Sequence, residues 1–236
     1  MYPQIKANIL FEDKSLIVFD KPSSMVVNDS NTSPSDTLQS SISIIKDEDD
    51  TSEFSMRSGI LHRLDKDTSG VLIVAKNSNV FEKLKEQFVK RQVKKHYIGL
   101  NFGHLDDQEI VIDAPIKRDP RNRMRMCVHS DGKNAITKII LKKNIIIDDQ
   151  HLCLTDIYPH TGRTHQIRVH TSSFNHPILG DKIYLTKAQY SLSQTIVSRL
   201  MLHALDITFY HPDLEKNMTV TAPLPKEFEE MYSKYH

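Results

Sequence analysis

At 236 residues, with 39% hydrophobic and 26% charged side chains, the chain holds enough apolar material for one large domain or two small ones, and its composition excludes a disordered protein. Its 31 lysines and arginines nearly cancel its 30 acidic residues, for a net charge of +1, so any affinity for an anionic partner must come from segregation of charge. Lys6, Glu12, Asp13 and Lys14 interrupt the N-terminal stretch before an apolar run can build, so it reads as neither signal peptide nor membrane span, and two cysteines, Cys127 and Cys153, make neither a disulfide framework nor a paired zinc spacing.

Residues 9–19 carry two short apolar runs around a turn and read as strands, broken by "DKPSS". Residues 35–46 set Leu38, Ile42 and Ile45 on one side of a short helix, and "KDEDDTSE" after it reads as a solvated acidic loop. "GVLIVAK" is a buried strand. In "NVFEKLKEQFVKRQVKK", Asn79 and Glu82 stand as a capping pair and Phe81, Leu84 and Phe88 recur on one helical face; the helix closes on Lys90, Arg91, Lys94 and Lys95. Lysines near a helix C-terminus suit the macrodipole and are equally placed to meet phosphate. "HYIGLNF" alternates as a strand, with Ile98, Leu100 and Phe102 on one face and Tyr97 on the other.

"KRDPRNRMRM", residues 117–126, sets Lys117, Arg118, Arg121, Arg123 and Arg125 against Asp119 alone in a loop-like segment broken by proline. The planar guanidinium fork suits phosphate, so anion binding is one reading and a solvated basic loop the other. Strands follow over 135–147 and 152–158. Residues 157–180 contain no acidic residue but hold Arg163, Arg168 and four histidines; alternation at 166–169 would suit a strand, while Thr164 as N-cap and Asn175-His176-Pro177 at the end favour a helix. Strands at roughly 200–210 and 217–222 and a short helix after Pro225 complete the chain.

The chemistry concentrates in "GILHRLDKDTSGVLIVAKN", residues 59–77, where charged side chains sit against a greasy strand. Asp65, Asp67, Ser69 and Gly70 match the first half of a calcium-binding EF-hand loop, but Lys76 stands where the bidentate glutamate belongs. His160, His165 and His170 are five apart, which scatters them over different faces of a helix or strand, so no metal site is expected. What remains is a carboxylate with arginines. One reading is a structural ion pair; the other is a carboxylate kept ionised by arginine and available to act at a sugar carbon.

"HRLDKDTSG" resembles the signature of the RluA-type pseudouridine synthases. "LIVFDKP", "KKHYIGL", "GKNAIT", "YPHTGRTHQIRVH", "HPILGDKIY" and "RLMLHA" resemble that family's other blocks, in order, from about residue 9 to 228. The resemblance implies isomerisation of uridine to pseudouridine in RNA with no cofactor and no metal. It gives Asp65 the position of the catalytic aspartate, Tyr97 that of the tyrosine that stacks on the target base, and Arg168 that of the arginine paired with the aspartate. Arg63 matches a residue that fills the space left by the flipped nucleotide, and Leu202 an apolar pocket residue. His62, Arg118, Arg121, Arg123, Arg163 and His165 join them as substrate-binding candidates. A flipped uridine costs a few kcal/mol of unstacking (~2–4), which phosphate contacts elsewhere have to offset.

The fold so implied is α+β: one catalytic domain over residues 1–236, with a mixed, mostly antiparallel sheet flanked by helices and a basic RNA-binding cleft. The expected partner is a ribosomal or transfer RNA stem-loop and the expected setting a cytoplasmic monomer. Ser24, Asn28 and Leu185 depart from the family's usual residues, and the small N-terminal RNA-binding domain of many relatives has no counterpart in this sequence.

Overall fold

A computed structural model describes residues 7–29, 37–42 and 51–235. The chain opens with the antiparallel hairpin β1 (Asn8–Glu12) and β2 (Leu16–Lys21), turned by Asp13, whose Oδ1 accepts the Ser15 and Leu16 N–H groups. Of the helix expected over 35–46, α1 (Leu38–Ile42) is the described part; residues 43–46 and most of the acidic stretch lie outside the described residues. After the single turn α2 (Glu53–Met56) comes β3 (Ser69–Ala75), buried along its whole length, as an uninterrupted apolar run requires.

The next helix, α3 (Ser78–Val89), begins two residues earlier than its sequence suggests. Asn77, in extended conformation, caps it by accepting the Val80 N–H, and Asn79 lies inside the first turn. The apolar face is as expected, with Phe81 and Leu84 fully buried and Phe88 half-buried; full burial of each is worth about 1.5–3 kcal/mol. The helix ends at Lys90, so Lys94 and Lys95 belong instead to β4 (Lys94–Phe102).

Two short elements follow that the sequence pattern does not announce. They are β5 (Glu109–Asp113) and the hairpin β6 (Ile116–Arg118) with β7 (Met126–Val128), which carries the arginine-rich segment on its connection. Long antiparallel strands β8 (Ile136–Ile147) and β9 (Gln150–Pro159) then lead to α4 (Gln166–Ser173). The expected helix over this segment is therefore present, but its N-cap is His165 in a left-handed conformation rather than Thr164. Last come α5 (Lys187–Ile196), β10 (Leu202–His211), β11 (Lys216–Thr221) and α6 (Lys226–Tyr235). Among the described residues no helix is long and apolar enough to cross a membrane.

Packing groups the chain into two compact units: residues to Lys94 with Ala204–Pro223, and Lys95–His203 with the residues from Leu224. In the first, the strands run in the order β1-β2-β3-β10, with β11 paired to β10. Val71, Ile73 and Ala75 of β3 share a core with Phe81 and Leu84 of α3 and with Ile207, Phe209 and Val220 of β10 and β11. In the second, the order is β4-β9-β8-β5, and β6-β7 stands as a separate ribbon. The pairs β1–β2, β2–β3, β4–β9, β8–β9, β5–β8 and β10–β11 are antiparallel, and a parallel bridge joins Val26 to Thr37. This is the expected α+β architecture, a mixed and mostly antiparallel sheet flanked by helices.

Burial on α4 carries a pH consequence. His170 is fully buried, with Nδ1 2.8 Å from the Thr137 hydroxyl and Nε2 2.9 Å from the Ala114 carbonyl, so the neutral ring donates from Nε2 and accepts at Nδ1. Burial lowers its pKa below the ordinary 6.5, against the opposing pull of the Ala114 carbonyl and Asp113. The unfolded chain thus takes up a proton where the folded one does not. Stability is full above the unfolded pKa and declines as pH falls toward the folded value. Unfolding free energies from urea titrations at about pH 7.5 and about pH 5.5 should show this loss, smaller in His170→Asn.

Candidate active site

In the first unit the loop between Ile60 and β3 presents Asp65. Ile60 forms a bridge to Val74, and the Thr68 N–H donates to the Asp65 carbonyl at 3.2 Å, closing a turn over Lys66 and Asp67. Leu64 is buried between exposed Arg63 and half-buried Asp65, the alternation that puts Arg63 and Asp65 on one side. His62, a substrate-binding candidate, is engaged within the fold: its Nε2 accepts the Ile73 N–H at 3.1 Å and its ring stacks on Phe88 at 5.1 Å.

The turn is held by a residue to which the sequence pattern gives no role. Lys21, at the end of β2, is completely buried. Its Nζ donates to the carbonyls of Pro22 at 2.8 Å, Met25 at 2.9 Å and Lys66 at 3.0 Å. The Ser23 hydroxyl adds a bond to the Asp67 carbonyl at 2.8 Å. Just beyond, Gly70 at φ +112° lets β3 and β10 approach: a Cβ there would lie 2.1 Å from the Ala204 carbonyl oxygen.

In the second unit the centre is Arg168 on α4. Its Nε and Nη2 donate to Asp181 Oδ2 and Oδ1, both at 2.8 Å, a two-pronged pair with side chains 5% and 0% exposed. Asp181 Oδ1 also accepts the Ile183 and Tyr184 N–H groups at 2.9 and 3.1 Å. One edge of the Arg168 fork is therefore fixed by a carboxylate other than the expected Asp65. The Arg168 guanidinium lies 5.2 Å over the ring of Tyr184.

The other candidates of this unit sit as follows. Tyr97 is half-buried on β4 opposite Ile157 of β9. Leu202, at the start of β10, is buried. His165 Nδ1 lies 2.9 Å from the Tyr184 hydroxyl. Arg163 donates from Nε to the Asn134 carbonyl at 3.0 Å, and its backbone N–H donates to the Gln166 side chain. Gln166 is a further residue without a sequence-level role; it is buried and also bonds Thr161, Thr137 and the Ile136 carbonyl, fixing the turn before α4.

On the β6-β7 connection the arginines divide their work. Arg118 braces the loop from Nη1 to the Arg123 carbonyl. Arg121 and Arg123 are exposed, Arg121 at 89% with only a 3.5 Å contact to Asp119, which suits both for phosphate. Lys95, beside the Thr161–Arg163 turn, donates to the Thr161 carbonyl at 3.0 Å, and burial brings its pKa down to about 8.

The structure thus gathers His62, Arg63 and Asp65 in one loop of the first unit. In the second it gathers Arg168 and His165 around Tyr184. The residues missed, Lys21, Gln166, Asp181 and Tyr184, all lie inside quoted motifs, but their roles depend on contacts with distant segments.

Comparison with known proteins agrees with these motifs. The family model described as RNA pseudouridylate synthase matches residues 15–173. An uncharacterized RNA pseudouridine synthase of Aquifex aeolicus is 37% identical over 234 residues, 97% of this chain and 73% of that protein. A ribosomal large subunit pseudouridine synthase D of Xanthomonas campestris pv. campestris is 35% identical over 237 residues, covering 97% and 69%. Among solved structures, human RNA pseudouridylate synthase domain containing 1 superposes with a TM-score of 0.74 at 25% identity, over 93% of this chain and 84% of that one. With the signature loop, the sheet and the matched span in agreement, the chain belongs to the RluA-type family of RNA pseudouridine synthases, isomerases that act on uridines in RNA.

Proposed function

We propose that this enzyme isomerises a uridine of large-subunit ribosomal RNA, with Asp65 as the group that acts on the ribose. The observation that carries the assignment is the placement of Asp65 in a turn whose backbone is pinned by the buried Lys21, a carboxylate delivered on a fixed frame. Asp65 works at the sugar while the N1–C1′ bond breaks; the freed uracil turns, C5 bonds C1′, and the C5 proton is lost while N1 takes one up, so the product is an isomer of the substrate. Tyr97 stacks on the target base, Leu202 packs beside it, and Arg168 is the cation of the reaction. Arg63 takes the place of the flipped nucleotide in the stack. The choice of ribosomal RNA is supported by the name of the Xanthomonas relative. The enzyme works in this reading as a cytoplasmic monomer.

Pseudouridine mapping of ribosomal and transfer RNA tests this, using cells with and without the gene, complemented by wild type or Asp65→Ala. A large-subunit site that disappears and returns only with wild type supports the proposal; a site confined to transfer RNA would replace the substrate, and return with Asp65→Ala would remove the assigned role.

The same reading assigns phosphate binding to the arginine-rich hairpin with His165 and Arg163 nearby. Charge reversal at Arg121 and Arg123 should weaken RNA binding and flatten its dependence on salt by about one unit of log–log slope per lost contact. Filter binding over a salt series measures it, and an unchanged slope would place the RNA backbone elsewhere.

A further inference from the structure

Tyr184 stands where four functional contacts meet within the second unit. Its ring faces the Arg168 guanidinium at 5.2 Å and the Arg125 guanidinium at 5.3 Å. Its hydroxyl accepts the Met126 N–H of β7 at 2.9 Å and lies 2.9 Å from His165 Nδ1. Having accepted one proton, the hydroxyl donates its own to His165, which satisfies both partners with the ring neutral. Its backbone N–H goes to Asp181 Oδ1, whose carboxylate also holds Arg168, so Arg168, Asp181 and Tyr184 close a ring of mutual contacts.

A buried aromatic at this place needs no hydroxyl to fill space, since its cluster mates are Ile116, Ala135 and Val169. Both bonds of the hydroxyl go to functional segments: the left-handed His165 at the head of α4, and the strand that carries the arginine-rich loop away. Arg125 differs from its neighbours in the same sense. It is half-buried on the tyrosine while Arg121 and Arg123 are exposed, and its backbone ties the loop through bonds with Asp119 and Asn122.

We propose that Tyr184 is a positioning residue that sets the Arg168 guanidinium and the arginine-bearing hairpin relative to one another, joining RNA docking to the chemistry. The inference rests on the proposed role of Arg168 as the cation of the reaction. It separates two functions of one side chain: the hydroxyl ties β7 to His165, and the ring seats the Arg168 and Arg125 guanidinium groups.

The test uses the full chain in excess over total RNA from cells lacking the gene, with single-turnover formation of pseudouridine giving a maximal rate and a half-saturating enzyme concentration. Tyr184→Phe removes the hydrogen bonds to the hairpin and to the substrate-binding candidate His165, keeps the ring on Arg168, and should raise the half-saturating concentration about fivefold to tenfold while leaving the maximal rate within about twofold. Tyr184→Leu also removes the ring and should lower the maximal rate about tenfold. Hydrogen exchange provides a local reading: the Met126 amide should lose protection in Tyr184→Phe while β8 and β9 keep theirs. Both variants within about twofold of wild type on both parameters, equal losses without the split, or an unchanged Met126 amide would overturn the proposal. No turnover by the wild type overturns the functional reading instead, and the Met126 amide still decides whether the hydroxyl tethers the hairpin.

Discussion

Asp65→Asn should leave RNA affinity within a few-fold of wild type and lower single-turnover pseudouridine formation at least about a thousandfold, a loss of about 4 kcal/mol of transition-state stabilisation. The substitution is nearly isosteric, and it leaves in place the backbone carbonyls that take part in bonds of the turn: the Asp65 carbonyl accepts Thr68 N–H and the Lys66 carbonyl accepts Lys21. The loop should therefore stand unchanged, with an amide in place of a carboxylate. An amide is neither a nucleophile nor a base at neutral pH, so the chemistry fails where binding survives. Equal loss of binding and turnover would mean that Asp65 organises the RNA rather than reacting with it.

Asp181→Ala should have its large effect on stability. The substitution strips the guanidinium of Arg168 of its two-pronged partner in a place where that side chain is 5% exposed, and it leaves the Ile183 and Tyr184 amides without their acceptor. Breaking a buried ion pair from one side costs about 3–5 kcal/mol, a large share of the stability of a domain. Asp181→Asn keeps a carbonyl oxygen for the two amides and loses only the charge, so it should fall between alanine and wild type. Urea unfolding of the three proteins measures the order, and a cost below about 1 kcal/mol for alanine would mean that the charge of Arg168 is balanced without Asp181.

These two residues mark how far the chemistry could be read without coordinates. Asp65 lies in a contiguous signature that resembles the family's, beside a strand whose burial is written in five consecutive apolar residues and is borne out. Asp181 was visible as part of "GDKIY", yet nothing in the order of residues says that its carboxylate meets an arginine on α4, thirteen positions back. Lys21 was hidden for the same reason, since Lys66 lies 45 positions away.

Local structure failed where local signals were weak or doubled. Two asparagines, Asn77 and Asn79, compete to cap α3, and the one with the extended backbone prevails. The arginine hairpin has strands of three residues and a proline between them, too short for alternation to register. Helix α5 buries only Ser193, so its apolar face is faint, although Thr186 and Gln189 form a capping box that could have announced it. On β4 the alternation at Ile98, Leu100 and Phe102 was right, but Asn101 on the opposite face is also buried, satisfied by Thr155 and the His176 carbonyl.

The three carbonyls gathered by Lys21 have a consequence for the energetics of encounter. Because an internal ammonium already orders the turn that bears Asp65, the conformational entropy of that turn is removed when the chain folds. RNA therefore meets a preorganised turn, and none of its binding free energy is consumed in arranging it. In the proposed reading, what the contact at the phosphates provides is left to act on the nucleotide, against the stacking that keeps the uridine in its helix.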